Sequence, residues 1–114
     1  MNTHIEGVKG ENIAARYLQK HKYKILERNF RCRYGEIDII AVNGNFVCFI
    51  EVKTRGNDKF GLPRESVTDY KRQKIVRVAN YWQYCNDAVG MPVRFDVVEV
   101  MQGEVNIIKD AFRI

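Results

Sequence analysis

The sequence predicts an α/β domain, a mixed central sheet flanked by helices, in the order α-β-β-β-α-β-β. Three observations predict it. Two stretches, 5–21 and 66–85, place their apolar residues at helical spacing. Two others, EIDIIAV at 36–42 and FVCFIEVKT at 46–54, are apolar runs around Asn43-Gly44-Asn45, a strong hairpin signal. The connection from Lys53 to Arg94 contains the second helix, so it is long enough to cross over between parallel strands.

Each element has its own warrant. In 5–21 (IEGVKGENIAARYLQKH) Val8, Ala14, Ala15 and Leu18 share a face. Residues 23–31 (YKILERNFR) read as a strand leading into the hairpin. Residues 55–64 (RGNDKFGLPR) hold two glycines, a proline and four charged residues, and read as an exposed loop. The second helix has Ser66 or Thr68 as its cap and Val67, Ile75, Val78 and Trp82 as its inward stripe. Residues 93–101 and 104–109 read as two more strands around Gln102-Gly103.

At 114 residues, 46% hydrophobic and 29% charged, the chain reads as a single globular domain over 1–114. No apolar run nears the ~20 residues of a membrane helix, and the N-terminus lacks an apolar signal core. A cytoplasmic protein without a membrane partner is expected. Cys32, Cys48 and Cys85 form no C-x-x-C, which removes zinc and thioredoxin-type chemistry, and all three read as small buried residues. His4 and His21 read as surface residues, and no glycine-rich phosphate loop is present. The net charge of +5 suits a phosphate-rich partner, and the cations are clustered. Arg28, Arg31 and Arg33 precede one strand, Lys53, Arg55 and Lys59 follow another, and Lys71, Arg72, Lys74 and Arg77 lie in the second helix.

The polar residues inside apolar elements carry the functional signal. A two-residue turn at Gly44-Asn45 pairs Val42 with Val47, Ile40 with Phe49 and Asp38 with Glu51. A turn at Asn43-Gly44 instead pairs Glu36 with Glu51 and Asp38 with Phe49. Both registers put Asp38, Glu51 and Lys53 on one face of an interior hairpin, because side chains alternate with period two. In the first register the two carboxylates face each other at ~5 Å, which is destabilising without compensation. A divalent cation supplies that compensation. On the first helix Glu11 falls within the apolar stripe, where a lone carboxylate needs a partner. On the second, Lys71 sits at the centre of the inward stripe and Lys74 at its margin. Each feature has a plainer reading. Glu51 and Lys53 make an ordinary surface pair, Asp38 faces solvent, Glu11 pairs with Lys71 or Lys74, and Lys71 snorkels past apolar neighbours.

Asp38, a hairpin, then Glu51-Val52-Lys53 resembles the PD-(D/E)XK nuclease signature. The fuller pattern is Gly7-x-x-Gly10-Glu11, Ala14-x-x-Tyr17-Leu18, Tyr34-Gly35-Glu36-Ile37-Asp38-Ile39-Ile40, Phe49-Ile50-Glu51-Val52-Lys53-Thr54-Arg55 and Val67-Thr68-x-x-Lys71. It resembles the YraN-like family within that superfamily, which is similar to archaeal Holliday-junction resolvases. The resemblance covers nearly the whole chain. It departs at one place, where Ile37 stands for the signature proline. It implies a restriction-endonuclease-like α-β-β-β-α-β core and a Mg²⁺- or Mn²⁺-dependent endonuclease on DNA, branched DNA included. By position, Asp38 and Glu51 would be metal ligands together with the Val52 backbone carbonyl, and Lys53 the catalytic lysine. Glu11 matches the helical acidic position and Lys71 the basic position of the second helix.

The chemistry suits these residues. Mg²⁺ takes oxygen ligands, commonly one or two carboxylates plus waters and substrate phosphate. Lys53, ~6.5 Å along the strand from Glu51, is placed to orient a water or hold the phosphate. Arg55, Lys59, Lys71 and Lys74 would grip flanking phosphates. Resolving a junction takes two symmetric cuts and so implies a homodimer, with Phe60, Leu62 and the apolar last strand as candidate surfaces. Two rival readings remain open. One is a nucleic-acid-binding module on the same scaffold without turnover. The other is a structural or interaction protein with an internal Glu11–Lys71 and Asp38–Lys53 ion-pair network.

Overall fold

The computed structural model describes residues 3–55 and 68–112, with side chains from 9 to 54 and from 68 to 112. The elements are α1 (Thr3–Lys20), β1 (Lys24–Cys32), β2 (Gly35–Asn43), β3 (Phe46–Arg55), α2 (Asp69–Cys85), β4 (Val93–Met101) and β5 (Glu104–Ile108). The expected α/β order is present, compatible with a restriction-endonuclease-like core. Boundaries move by three residues at most. The expected loop at 55–64 begins later, since Arg55 ends β3, and its other residues, with Ser66 and Val67, lie outside the described part.

The five strands lie in chain order, β1 to β5. All neighbours are antiparallel except β3 and β4, which run parallel across the α2 crossover. The hairpin uses the Gly44-Asn45 turn, pairing Val42 with Val47 and Ile40 with Phe49. Gly44 sits at φ 60°, a left-handed conformation that glycine adopts without strain.

The helices cover opposite faces. Ala14, Ala15 and Leu18 of α1 pack on Ile39, Ala41, Cys48, Ile50 and Val98. Ile75, Val78, Ala79 and Trp82 of α2 pack on Ile37, Ile40, Val47, Phe49 and Val97. Both faces of the middle of β2 and β3 are therefore dry, which explains their nearly continuous apolar sequences. Gly10 lets α1 approach β3 closely, because a Cβ there would overlap Thr54 Oγ1. Thr68 caps α2, its side chain accepting the Lys71 N–H at 3.3 Å. Cys48 is buried as expected, whereas Cys32 is partly buried and Cys85 is exposed on the last turn of α2. His21 is exposed and stacks on Tyr17.

One end of the sheet is tied by a buried polar network. The Asp96 side chain has no exposure, and its two oxygens accept from Arg94 Nε and Nη2, both at 2.8 Å. Tyr23 Oη donates to Asp96 at 2.9 Å, the Asp110 N–H donates at 2.9 Å, and Arg94 Nη2 also reaches Asn43 Oδ1 at 3.0 Å. Every lone pair the carboxylate would lose on leaving water is thus replaced. Burial, then the Asp96 charge, pushes the Tyr23 hydroxyl well above the usual tyrosine range.

Candidate functional site

The other end of the central strands is where the predicted residues gather. Side chains of β3 alternate, with Phe49 in the α2-facing core and Cys48 and Ile50 in the α1-facing core. Glu51 and Lys53 therefore face the α2 side at the C-terminal end of the strand. Lys53 Nζ lies 3.4 Å from Glu51 Oε2, and both side chains are mostly buried.

Asp38 does not pair with Glu51 as the simple register requires. The β2–β3 ladder ends at Ile39–Ile50. Just before it, β2 changes face: Ile39 packs under α1, but Ile37, two residues earlier, packs under α2. Strand β1 makes the same change between Arg28, paired with Ile39, and Phe30, paired with Ile37. Between them Asn29 takes φ 54°, a conformation that Asn tolerates better than most residues. Asp38 sits at the switch, so it shares no simple face with Glu51 and Lys53. Its Oδ2 accepts the Val52 N–H at 2.8 Å, taking the place of a ladder carbonyl. In an extended strand the N–H and C=O of one residue point to the same edge, so the Val52 carbonyl faces this gap too.

The gap is electrostatically unfavourable for Asp38. Burial first, then the Glu51 charge, push its carboxyl from the ordinary 3.8 up to about 7. Glu11 and Glu36 add to the rise, and the Val52 N–H opposes it. Glu11 therefore acts on Asp38 from the α1 side. Its ion-pair partner is Arg28 at 3.4 Å, not Lys71 or Lys74, which belong to the helix on the opposite face. The Glu11–Lys71 and Asp38–Lys53 network of the rival interaction-protein reading does not form among the described residues, where the pairs are Glu11–Arg28 and Glu51–Lys53.

Beside Glu51 a cleft of about 680 Å³ opens between the β1–β2 hairpin and the first turns of α2. Its lining includes Arg31, Glu36, Tyr70, Lys71 and Lys74. Lys71 and Lys74 are exposed on its wall, so neither points into the core. Arg31 is engaged by Glu36 at 2.9 Å, and Lys74 Nζ sits 5.1 Å from the Tyr70 ring centre. Tyr70, 68% exposed, was not singled out in the sequence. Its signal is its place next to Lys71, one helical turn before Lys74. The Arg55 side chain and all of Lys59, Phe60 and Leu62 lie outside the described residues.

Could this donor set hold a hard divalent ion? Among the described residues no three His, Cys, Asp or Glu side chains are arranged to do so alone. A centre built on Asp38, Glu51 and the Val52 carbonyl needs only two carboxylates, the rest coming from water or substrate, which is how Mg²⁺ is commonly held. An adjacent pair of carboxylates with one forced toward neutrality fits a missing positive charge.

These features define an α/β domain whose central parallel strand ends in a carboxylate–lysine site beside a basic cleft. The chain belongs to UPF0102, described as an uncharacterised protein family, whose model matches residues 10–100. The match begins at the glycine that seats α1 and stops one residue short of the end of β4. UPF0102 proteins of Caldicellulosiruptor saccharolyticus and of Clostridioides difficile (strain 630) are each 46% identical over 98% of this chain and all of their own length. One from Clostridium perfringens (strain SM101 / Type A) is 43% identical over 95% of this chain and 93% of its own. No helix among the described residues is long and apolar enough to cross a membrane.

Proposed function

We propose that the protein is a Mg²⁺- or Mn²⁺-dependent endonuclease that hydrolyses DNA phosphodiester bonds, with branched, Holliday-junction-like DNA as its candidate substrate. The observation that carries the reading is the Asp38–Glu51 arrangement. Two acids are held close, one is pushed up to about 7, and the β2–β3 ladder ends just short of them. Asp38, Glu51 and the Val52 carbonyl would hold the ion, which supplies Lewis-acid charge at the scissile phosphate.

The chain's own groups do the rest. Lys53, near Glu51, holds a phosphate oxygen or orients the attacking water. Glu11, held by Arg28, keeps a negative charge on the α1 side of Asp38. Lys71 and Lys74 on the cleft wall neutralise flanking phosphates, which gives affinity without sequence reading. Tyr70 offers an exposed ring on which an unpaired base can stack. A homodimer would give the two symmetric cuts a junction requires.

The test is a panel of labelled four-way junction, flap, single strand, duplex and RNA, with Mg²⁺, Mn²⁺ or EDTA. Glu51→Ala and Lys53→Ala serve as controls. Metal-dependent cuts that vanish in both variants support the reading, and the preferred substrate names the biology. Binding without cuts, unchanged by either substitution, replaces it with a non-catalytic binding module.

A further inference from the structure

A carboxylate not used above lies one strand from the site. Glu99 pairs in register with Lys53 across the parallel β3–β4 ladder, one position beyond Val98–Val52. Val97 packs in the α2-facing core, while Val98 and Val100 pack in the α1-facing core. Alternation therefore puts Glu99 on the α2 side, beside Lys53 and on the same face as Glu51. Its β5 partner, Asn106, is exposed.

Glu99 is 9% exposed and, with Gln83 and Asp96, is one of three buried polar or charged residues among the described residues. The other two are satisfied. Gln83 donates to the carbonyl of Ala88, and Asp96 is held by Arg94, Tyr23 and the Asp110 N–H. Glu99 has no hydrogen bond or ion pair with any described residue in this conformation. With little water around it and no protein partner, such a carboxylate is a ready counter-charge for a cation within reach. Lys53 is the cation that register puts next to it, and that side chain is itself only 18% exposed. Its ammonium lies at 3.4 Å from Glu51 instead. Neighbouring strands are ~4.8 Å apart, and a lysine has a flexible four-carbon stem, so rotamer changes carry the ammonium from one acid to the other.

We propose that Glu99 is a positioning residue for Lys53: it is the second carboxylate on which the Lys53 ammonium rests whenever Glu51 is engaged elsewhere. The use of this device rests on the nuclease reading, in which Glu51 turns to a cation and Lys53 must stay over the site. The juxtaposition itself does not. With Glu51 as sole partner, Lys53 would be released into solvent when the site fills. With Glu99 it is kept on the α2 side and its charge stays balanced.

The test reads the ammonium directly. Lysine NH₃⁺ groups held in ion pairs give resolved ¹H–¹⁵N cross-peaks at low temperature, whereas free ones exchange away, and Lys53→Arg assigns the Lys53 signal. In EDTA the signal is expected in the wild type and retained in Glu51→Gln, where Glu99 alone holds it. It is expected to be lost in the Glu51→Gln/Glu99→Gln double variant. Glu99→Asp, judged folded by its melting curve, should keep a weakened signal and so separates lost charge from lost fold. A Glu51→Gln protein without the signal, a double variant that keeps it, or a wild type that never shows it overturns the proposal. If the protein cleaves DNA, Glu99→Gln should lower the single-turnover rate ~10–100-fold with substrate affinity unchanged. A wild type that never cleaves under any metal refutes the nuclease reading and leaves the spectral result standing by itself.

Discussion

Replacing Asp38 by asparagine should stabilise this protein at neutral pH. The carboxyl lies well above its ordinary 3.8, at about 7, because it is buried and faces Glu51. Its folded-state value exceeds the unfolded one, so it favours folding most below pH ~4, and that advantage is lost as pH rises through about 7. At 1.36 kcal/mol per tenfold change in proton affinity, the rise from 3.8 to about 7 corresponds to ~4 kcal/mol at pH 8. The side-chain amide of the Asp38→Asn variant carries no charge at any pH, and its oxygen can still accept the Val52 N–H. The variant and the wild type should therefore be equally stable at pH 4 and diverge by that amount at pH 8. For a chain of this size the gap is ~16 °C in Tm. Urea unfolding in EDTA at pH 4, 6 and 8 measures it. Adding Mg²⁺ at pH 8 should narrow the gap by stabilising only the wild type. A wild type that is more stable than Asp38→Asn at pH 8, or parallel pH profiles, would refute the crowded-carboxylate account.

Three further outcomes are expected. Gly10→Ala should destabilise by ~1–3 kcal/mol through overlap with Thr54, and Thr54→Ala should recover part of it in a double-mutant cycle by urea unfolding. Lys71→Ala and Lys74→Ala should each weaken DNA binding and reduce the slope of log K against log salt by about 1, measured by fluorescence anisotropy between low and physiological salt. Asp96→Ala should cost ~3–5 kcal/mol, because it strands Arg94 and Tyr23 in the interior, and it should do so without changing the pH response attributed to Asp38.

The hairpin was legible because its signals are local. A two-residue turn with glycine in the left-handed region and a period-two apolar pattern suffice to set Val42 against Val47. The parallel crossover followed from the length of chain between Lys53 and Arg94. What the pattern could not carry was the change of face in β2. Strict alternation from Ile40 put Asp38 beside Glu51, but both β1 and β2 change face there, and Asn29 in the Arg-Asn-Phe run is the one local hint. The Glu11–Arg28 pair depends on how α1 crosses β1, a tertiary fact with no sequence period. The helical wheel shows that this acid needs a partner, but not which element supplies it. Lys71 met the reverse fate, since a wheel places it inward without knowing that the sheet leaves a cleft there. Asp96 and Glu99 were overlooked inside VRFDVVEV, where an acid in a run of buried valines is itself the signal.

The Arg94–Asp96 network also sets where the sheet can come apart. It ties the start of β4 to Tyr23, Asn43 and the Asp110 amide at the turn end of the hairpin. At the opposite end β2 has already left β3, and the Val52 amide is held by one side chain in place of a ladder. Local opening should follow that asymmetry. Amides near Val47 and Phe95 exchange with solvent only when the whole domain unfolds, and those of Gly35–Asp38 and Val52–Arg55 exchange through cheap local openings. Deprotonating Asp38 restores its repulsion with Glu51, so raising the pH through about 7 should loosen the Asp38 end while leaving the tied end intact. The domain then behaves as a rigid half that guards the fold and a yielding half that carries the candidate site.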